Sequence, residues 1–529
     1  MNDTAGPNDA GVLRAPRQVP VEREPDGSGG KGAGPAMAIF TLTTFLSALL
    51  LFSIQPMFAK MVLPVLGGST SVWAVAMVFF QGALLAGYAY AHTLTRFVSP
   101  PVTGFVHLGL YALAALVLPI AIPASWGEPP PGEPYMWQLG LFAVAVGLPF
   151  VAVAANAPLL QAWFARCGHP HAADPYFLYA ASNLGSLIAL LSYPLVLEPL
   201  FGLRALSGVW SVGFLILALS LTSCFWLMRR AMTGGKPDAS SRSEPQAGDA
   251  PPSADPTWFD RLGWVGLALV PSGLLTAYTT HVTTDIASAP LLWVLPLSLY
   301  LLTWVLVFQS RPLLPHWLML LLQPVAIAGV VILLAFGGEQ NLLLTLGGHQ
   351  LCFFVIAMAC HGELARTRPA AKYLTGFYVA LSFGGMVGGL FAGLVAPFAF
   401  SWVAEYPILL ALAALCRPPR NERLPWLTRW YWALLAAVAV ALILPTYYAG
   451  RISAFLGDHR VWAIGGVGAL AALLAVILNG DRWKIFATVA VALALLRAYP
   501  SDDGRVETVR SFFGVHKIVV TPNGQYHVL

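Results

Sequence analysis

Apolar runs of about 20 residues, one after another, fill nearly all of the chain between Met37 and residue 499. A run of that length matches the hydrocarbon thickness of a bilayer. In lipid no water is present to satisfy the backbone, so each run must close its hydrogen bonds within itself, which a helix does. This restricts the chain to an all-α polytopic membrane protein. Composition agrees. Charged residues make up 10% of the 529 residues, against about 25% in a soluble domain, and mean hydropathy is +0.71.

The runs fall near 37–58, 72–95, 102–122, 137–164, 176–197 and 203–228, then near 262–282, 289–309, 316–336, 342–361, 373–396 and 402–416. Three more lie near 429–447, 460–478 and 483–499. Residues 1–36 are rich in Gly, Pro, Asp and Arg and read as a disordered tail. Residues 229–258 read as a disordered linker, with Arg-Arg, Gly-Gly, Ser-Ser and Pro-Pro pairs. The linker divides the first twelve runs into halves of six, 37–228 and 259–416, with 417–499 supplying the additional helices.

The halves echo each other. Arg166, Phe177, Ala180, Ser182 and Gly185 recur in order and spacing as Arg366, Phe377, Ala380, Ser382 and Gly385. A weaker echo relates Ser47 and Trp73 to Ser272 and Trp293. Two six-helix halves of like orientation form the parallel-repeat pattern of major-facilitator-type transporters. The fold expected is a 6+6 transporter-like bundle with about three extra helices.

Positive charge sets the orientation. Arg14, Arg17, Arg23 and Lys31 precede the first run, and Arg96, Arg166, Arg229, Arg311, Arg366 and Arg417 fall in alternate loops. The loop from Glu128 to Glu133 has no Lys or Arg. The N-terminus and linker are expected in the cytoplasm, with the bundle in the inner membrane. No basic run is dense enough to bind nucleic acid. Five cysteines are scattered without zinc or redox spacing and read as small buried hydrophobes. Nothing in the chain has the pattern of a cofactor or metal site. Gly384-Gly385 and Gly388-Gly389 read as small-residue helix packing and not as a phosphate cradle.

The last stretch changes character. Apolar β-formers from Arg510 to Leu529 flank Asn523-Gly524, a favoured hairpin turn. An isolated hairpin is marginal in water, so residues 500–529 read as the opening of a soluble domain whose remainder is missing or lies on another chain.

Polar groups at membrane depth mark candidate sites. Gln55, beside Pro56, is placed to satisfy backbone groups that the proline frees, and Lys60 to snorkel; both are also candidate solute contacts. Gln161 and Asn183, with Asn156 and Ser182, read as helix packing or as a polar cavity wall. Thr280, His281, Thr284 and Asp285 form the densest polar cluster. On a continuous helix His281 and Asp285 share a face, which suits a proton relay or a solute site; the other reading is an outer loop in water. His361, Glu363, Arg366 and Arg166 are candidates for a gating contact at the cytoplasmic end. His361 and Glu363, two apart, do not share a helix face and have too few companions for a metal. Glu198 and Glu405 begin outer segments and are expected to reach water.

Several segments resemble the membrane part of bacterial fused transporter/spermidine-synthase-like proteins. They are Ser53 to Ser69 (SIQPMFAKMVLPVLGGS), Ala157 to Gln161 with Asp174 to Ser186, Thr279 to Ile286 with Pro290 to Pro296, and Cys360 to Ala365. The resemblance implies that residues 510–515 open an aminopropyltransferase-like domain. The Gly-rich nucleotide turn and the amine-binding acids of such a domain are not in this chain, so no catalytic residue carries over. What the resemblance implies is a transporter-like membrane module, its solute a small cation such as a polyamine. The alternative is a membrane anchor or regulatory module for a soluble synthase-like partner.

Overall fold

A computed structural model describes residues 33–68, 70–131, 134–173, 175, 177–234, 255–286, 293–308, 312–336, 341–418, 430–433, 435–437, 440, 481–498, 505–511, 514–520 and 527–528. The N-terminal tail to residue 32, most of the linker and the runs near 429–447 and 460–478 lie wholly or largely outside these residues.

The first half comprises α1 (Ala33–Leu66), α2 (Thr70–Phe97), α3 (Pro100–Ala115), α4 (Tyr135–Phe164), α5 (Phe177–Leu200) and α6 (Leu203–Gly234). The second comprises α7 (Trp258–His281), α8 (Val294–Val307), α9 (His316–Phe336), α10 (Leu342–Arg366), α11 (Leu374–Ala399) and α12 (Glu405–Cys416). A further helix, α13 (Arg482–Ala498), packs against α9 and α12. Among the described residues, nine helices are long and apolar enough to cross a membrane, and α8 and α12 are shorter apolar helices. The protein is a multi-pass membrane bundle of six plus six helices. The run expected near 102–122 is helical only as far as Ala115.

Proline shapes several of these helices. The π-turn Ala143–Gly147 in α4 precedes Pro149, Tyr193–Leu197 in α5 contains Pro194, and Phe391–Val395 in α11 precedes Pro397. A proline removes one backbone donor, and a wider turn accommodates the interrupted ladder. The turns in α5 and α11 sit at corresponding places in the two halves. Beyond the linker, Thr257 caps α7. Its hydroxyl accepts from the Asp260 amide at 3.2 Å, and the Asp260 carboxylate accepts from the Thr257 amide at 2.9 Å.

Corresponding helices also pack alike. Gly185 of α5 lies against the Phe45 carbonyl and Ala48 of α1, and Gly384 and Gly388 of α11 lie against the Val265 and Leu269 carbonyls of α7. A side chain at any of the three would strike backbone, so glycine is what lets each pair approach. At the bundle end nearest the linker, His92 of α2 meets Thr375 of α11 at 2.8 Å, and Trp264 of α7 donates to the Thr367 carbonyl beyond α10 at 3.2 Å.

At the opposite end lies a small sheet of β1 (Arg505–Ser511), β2 (Gly514–Val520) and β3 (His527–Val528) in the order β1-β2-β3, antiparallel throughout. The β2–β3 pair is the expected hairpin, with Val519 opposite Val528; its Asn523-Gly524 turn lies outside the described residues. The sequence reading missed that the strand before it begins at Arg505 and adds a third member.

Candidate functional site: a central cavity between the halves

A cavity of about 170 Å³ lies between the two halves. Both contribute to its wall: Ser47 and Gln55 from α1, Gln81 and Tyr88 from α2, Tyr179, Ser182 and Asn183 from α5, Ser272 from α7, Tyr300 and Trp304 from α8, and Tyr378 and Ser382 from α11. The echoing serines of the sequence, Ser47 with Ser272 and Ser182 with Ser382, thus face one space.

Aromatic contacts between the halves lie toward each end of the cavity. Toward the end bearing the sheet, Trp73 and Trp293 meet with ring centroids 4.8 Å apart; these are the echoing tryptophans, one from each half. Toward the linker end, Tyr378 packs on Tyr88 at 5.8 Å and on Tyr179 at 5.4 Å, and Tyr179 meets Trp304 at 5.8 Å. Hydrogen bonds also cross between the halves. Tyr378 donates to Gln161 Oε1 at 3.1 Å, and Gln81 Nε2 donates to Ser272 Oγ at 2.9 Å.

The sequence candidates divide. Gln55 and Asn183 line the cavity. The Gln55 amide donates to the Leu51 carbonyl at 3.4 Å, whereas the carbonyl that Pro56 frees, four residues before it, is that of Phe52. Gln161 is buried and joins the halves without reaching the wall. Lys60 forms an ion pair with Glu198. The two lie 138 residues apart and only helix packing brings them together; both side chains stay partly exposed.

His281, Thr280 and Thr284 are not on the cavity wall. His281 stacks on Tyr406 with centroids 4.9 Å apart, and lies 5.2 Å from the His349 ring. Beyond it α7 continues directly into a π-turn, Val282–Ile286. The Asp285 side chain lies outside the described residues. The neighbouring threonines bond back to their own helix, Thr280 to the Thr276 carbonyl at 3.1 Å and Thr283 to the Thr279 carbonyl at 2.7 Å.

At the linker end His361 and Glu363 point to different partners. His361 is buried, stacks on Trp304 at 3.9 Å and meets Thr303 Oγ1 at 2.7 Å. Glu363 accepts from Arg366 Nε at 3.0 Å and meets His316 Nε2 at 3.2 Å. Arg166, the counterpart of Arg366, instead donates to the Ala162 carbonyl at 2.9 Å and is exposed.

Two groupings escaped the sequence reading. In the first half Asn156 is a hub: Oδ1 meets His107 Nε2 at 2.8 Å, and Nδ2 donates to Ser47 Oγ at 2.8 Å and to Tyr111 at 2.6 Å. At the sheet end Arg510 of β1 donates to both Glu405 oxygens, at 2.7 and 3.0 Å, and to the Trp402 carbonyl at 3.0 Å. Glu405 does not reach water; its side chain is 0% exposed and that of Arg510 6%. The pair holds β1 beside a small gap lined by Ser71 of α2, Thr280 of α7, Thr284 just after it, and Gly393 and Pro397 of α11. Only the pairing of a basic strand residue with an acid at a helix start hinted at this.

No family model matches the chain, and no curated protein does. Similar solved structures are transporters at low identity, among them the human organic anion transporter MFSD10 (14% identity, 73% of this chain and 99% of that one, TM-score 0.44). The xylose transporter XylE from E. coli is 12% identical over 72% of this chain and 95% of that one, with TM-score 0.45. A bacterial homolog of the human lysosomal transporter Spinster is 14% identical over 89% and 98%, with TM-score 0.39.

Proposed function

We propose that the protein is a solute carrier working by alternating access, with its N-terminus and linker in the cytoplasm of a bacterial cell and the bundle in the inner membrane. One observation carries this reading: a cavity shared by two six-helix halves, flanked toward both ends by aromatic contacts that cross from one half to the other. Rocking of the halves opens one contact while the other stays shut, so a solute is exposed to one side at a time. Glycine-lined pairs, α1 with α5 and α7 with α11, make each half a rigid unit for that motion.

The test is accessibility. Cys224, Cys352, Cys360 and Cys416 are buried and Cys167 is half-buried, so a Cys167→Ser background suits an added Ser182→Cys probe. Membrane-impermeant maleimide should label the probe from either side of oriented vesicles, and Trp73→Ala should favour labelling from the sheet end. Labelling from neither side, or from one side under every condition, refutes the reading.

A second reading rests on the buried Arg510–Glu405 pair. A sheet bolted to the bundle suits a membrane anchor or regulatory module for an aminopropyltransferase-like domain, supplied by further sequence or by a partner. On that reading, deleting residues 505–529 abolishes association with the soluble synthase-like protein, and cavity substitutions leave every phenotype unchanged.

A further inference from the structure

We infer that the central cavity takes a small uncharged solute with a flat apolar face and hydroxyl or amide groups, and not a polyamine or other ion; this rests on the transport reading above. Among the described residues, the cavity wall holds no Asp, Glu, Lys, Arg or His. An ion entering it would leave its hydration shell with no opposite charge to meet, a penalty that hydrogen bonds to serine and amide groups do not offset.

Cation–π binding does not supply the missing charge. The rings best placed for it are engaged with one another: Tyr179 stacks on Tyr378, and Trp304 is covered by His361 on one contact and Phe308 on another. Glu363 is not on the wall and is paired with Arg366 and His316.

What the wall does offer fits a neutral ring. Apolar surface comes from Phe52, Phe80 and Leu84. Polar groups on the wall come from Gln55, Gln81, Ser182, Asn183, Ser272 and Ser382. Hydroxyl and amide groups on the wall are complementary to an amide or hydroxyl group on a solute. The volume, about 170 Å³, compares with about 150 Å³ for a cavity that holds benzene, so the solute is of roughly single-ring size.

The experiment titrates the full chain in detergent with four probes: benzamide, benzoate, benzylamine and spermidine. Benzamide should bind at least about tenfold more tightly than the three ions. Asn183→Leu should weaken benzamide by about tenfold, the effect of losing one buried hydrogen bond. Gln55→Glu adds a carboxylate to the wall with no change of shape and should reverse the order in favour of benzylamine, with melting confirming that the variant is folded. Equal or tighter binding of any ion to the unmodified chain overturns the inference, as does saturable binding by none of the four. Labelling at Ser182→Cys separates the two levels. If the probe alternates but benzamide does not bind, the solute class falls alone; if it never alternates, transport falls with it.

Discussion

The Arg510–Glu405 pair makes a quantitative prediction about what holds the sheet to the bundle. Arg510→Ala removes a guanidinium that makes two bonds to Glu405 and one to the Trp402 carbonyl, and it leaves a fully buried carboxylate without its partner. Breaking a buried pair from one side costs about 3–5 kcal/mol, which raises the local opening constant by roughly 10²- to 4 × 10³-fold. The loss should be local, because the sheet is a separate element whose main charged anchor is this pair. Hydrogen exchange at the β1 and β2 amides should therefore quicken by at least about 10²-fold, while α1–α12 keep their protection. Replacing both partners, Arg510→Met with Glu405→Leu, should restore most of the protection, since an apolar pair pays no desolvation. Exchange in Arg510→Ala within about threefold of the unmodified chain would refute the argument, because the pair would then be solvated in the membrane-bound protein.

Further outcomes follow from the same packing. Gly388→Ala places a methyl group against the Leu269 carbonyl and should cost about 1–3 kcal/mol, seen as a lower melting midpoint in detergent; Gly208→Ala, where nothing lies within 4 Å, should be neutral or slightly stabilising. Asn156→Leu strands His107, Ser47 and Tyr111 in the first half and should lower the midpoint further than any single substitution at the partly exposed Lys60–Glu198 pair, which is worth about 1 kcal/mol or less. Trp73→Ala removes a ring contact worth about 0.5–1.5 kcal/mol, so maleimide labelling of Thr276→Cys from the sheet end should rise by roughly two- to tenfold.

The helices were legible because what makes them is local. In lipid each run must satisfy its own backbone, so length and hydropathy alone locate each of α1 to α12, though their ends fall as far as eight residues from the expected ones, as at Leu66 of α1. The glycines of α5 and α11 were legible for a related reason, since a small residue within an apolar run has few uses other than close approach. Side-chain partnership is a different matter. Lys60 finds Glu198, Gln161 finds Tyr378 and Arg510 finds Glu405 across 138, 217 and 105 residues, distances over which the sequence carries no register. Thr280, His281 and Thr284, from the stretch densest in polar residues, lie off the central cavity wall, and nothing in the local sequence says which face of α7 meets that space. Hydropathy and helical period thus determined that this chain crosses a membrane many times in two echoing halves. How those halves pack, which polar groups meet and where a neutral cavity opens were decided only by tertiary structure, because interhelical contacts depend on the rotation and tilt of whole helices and not on any local run of residues.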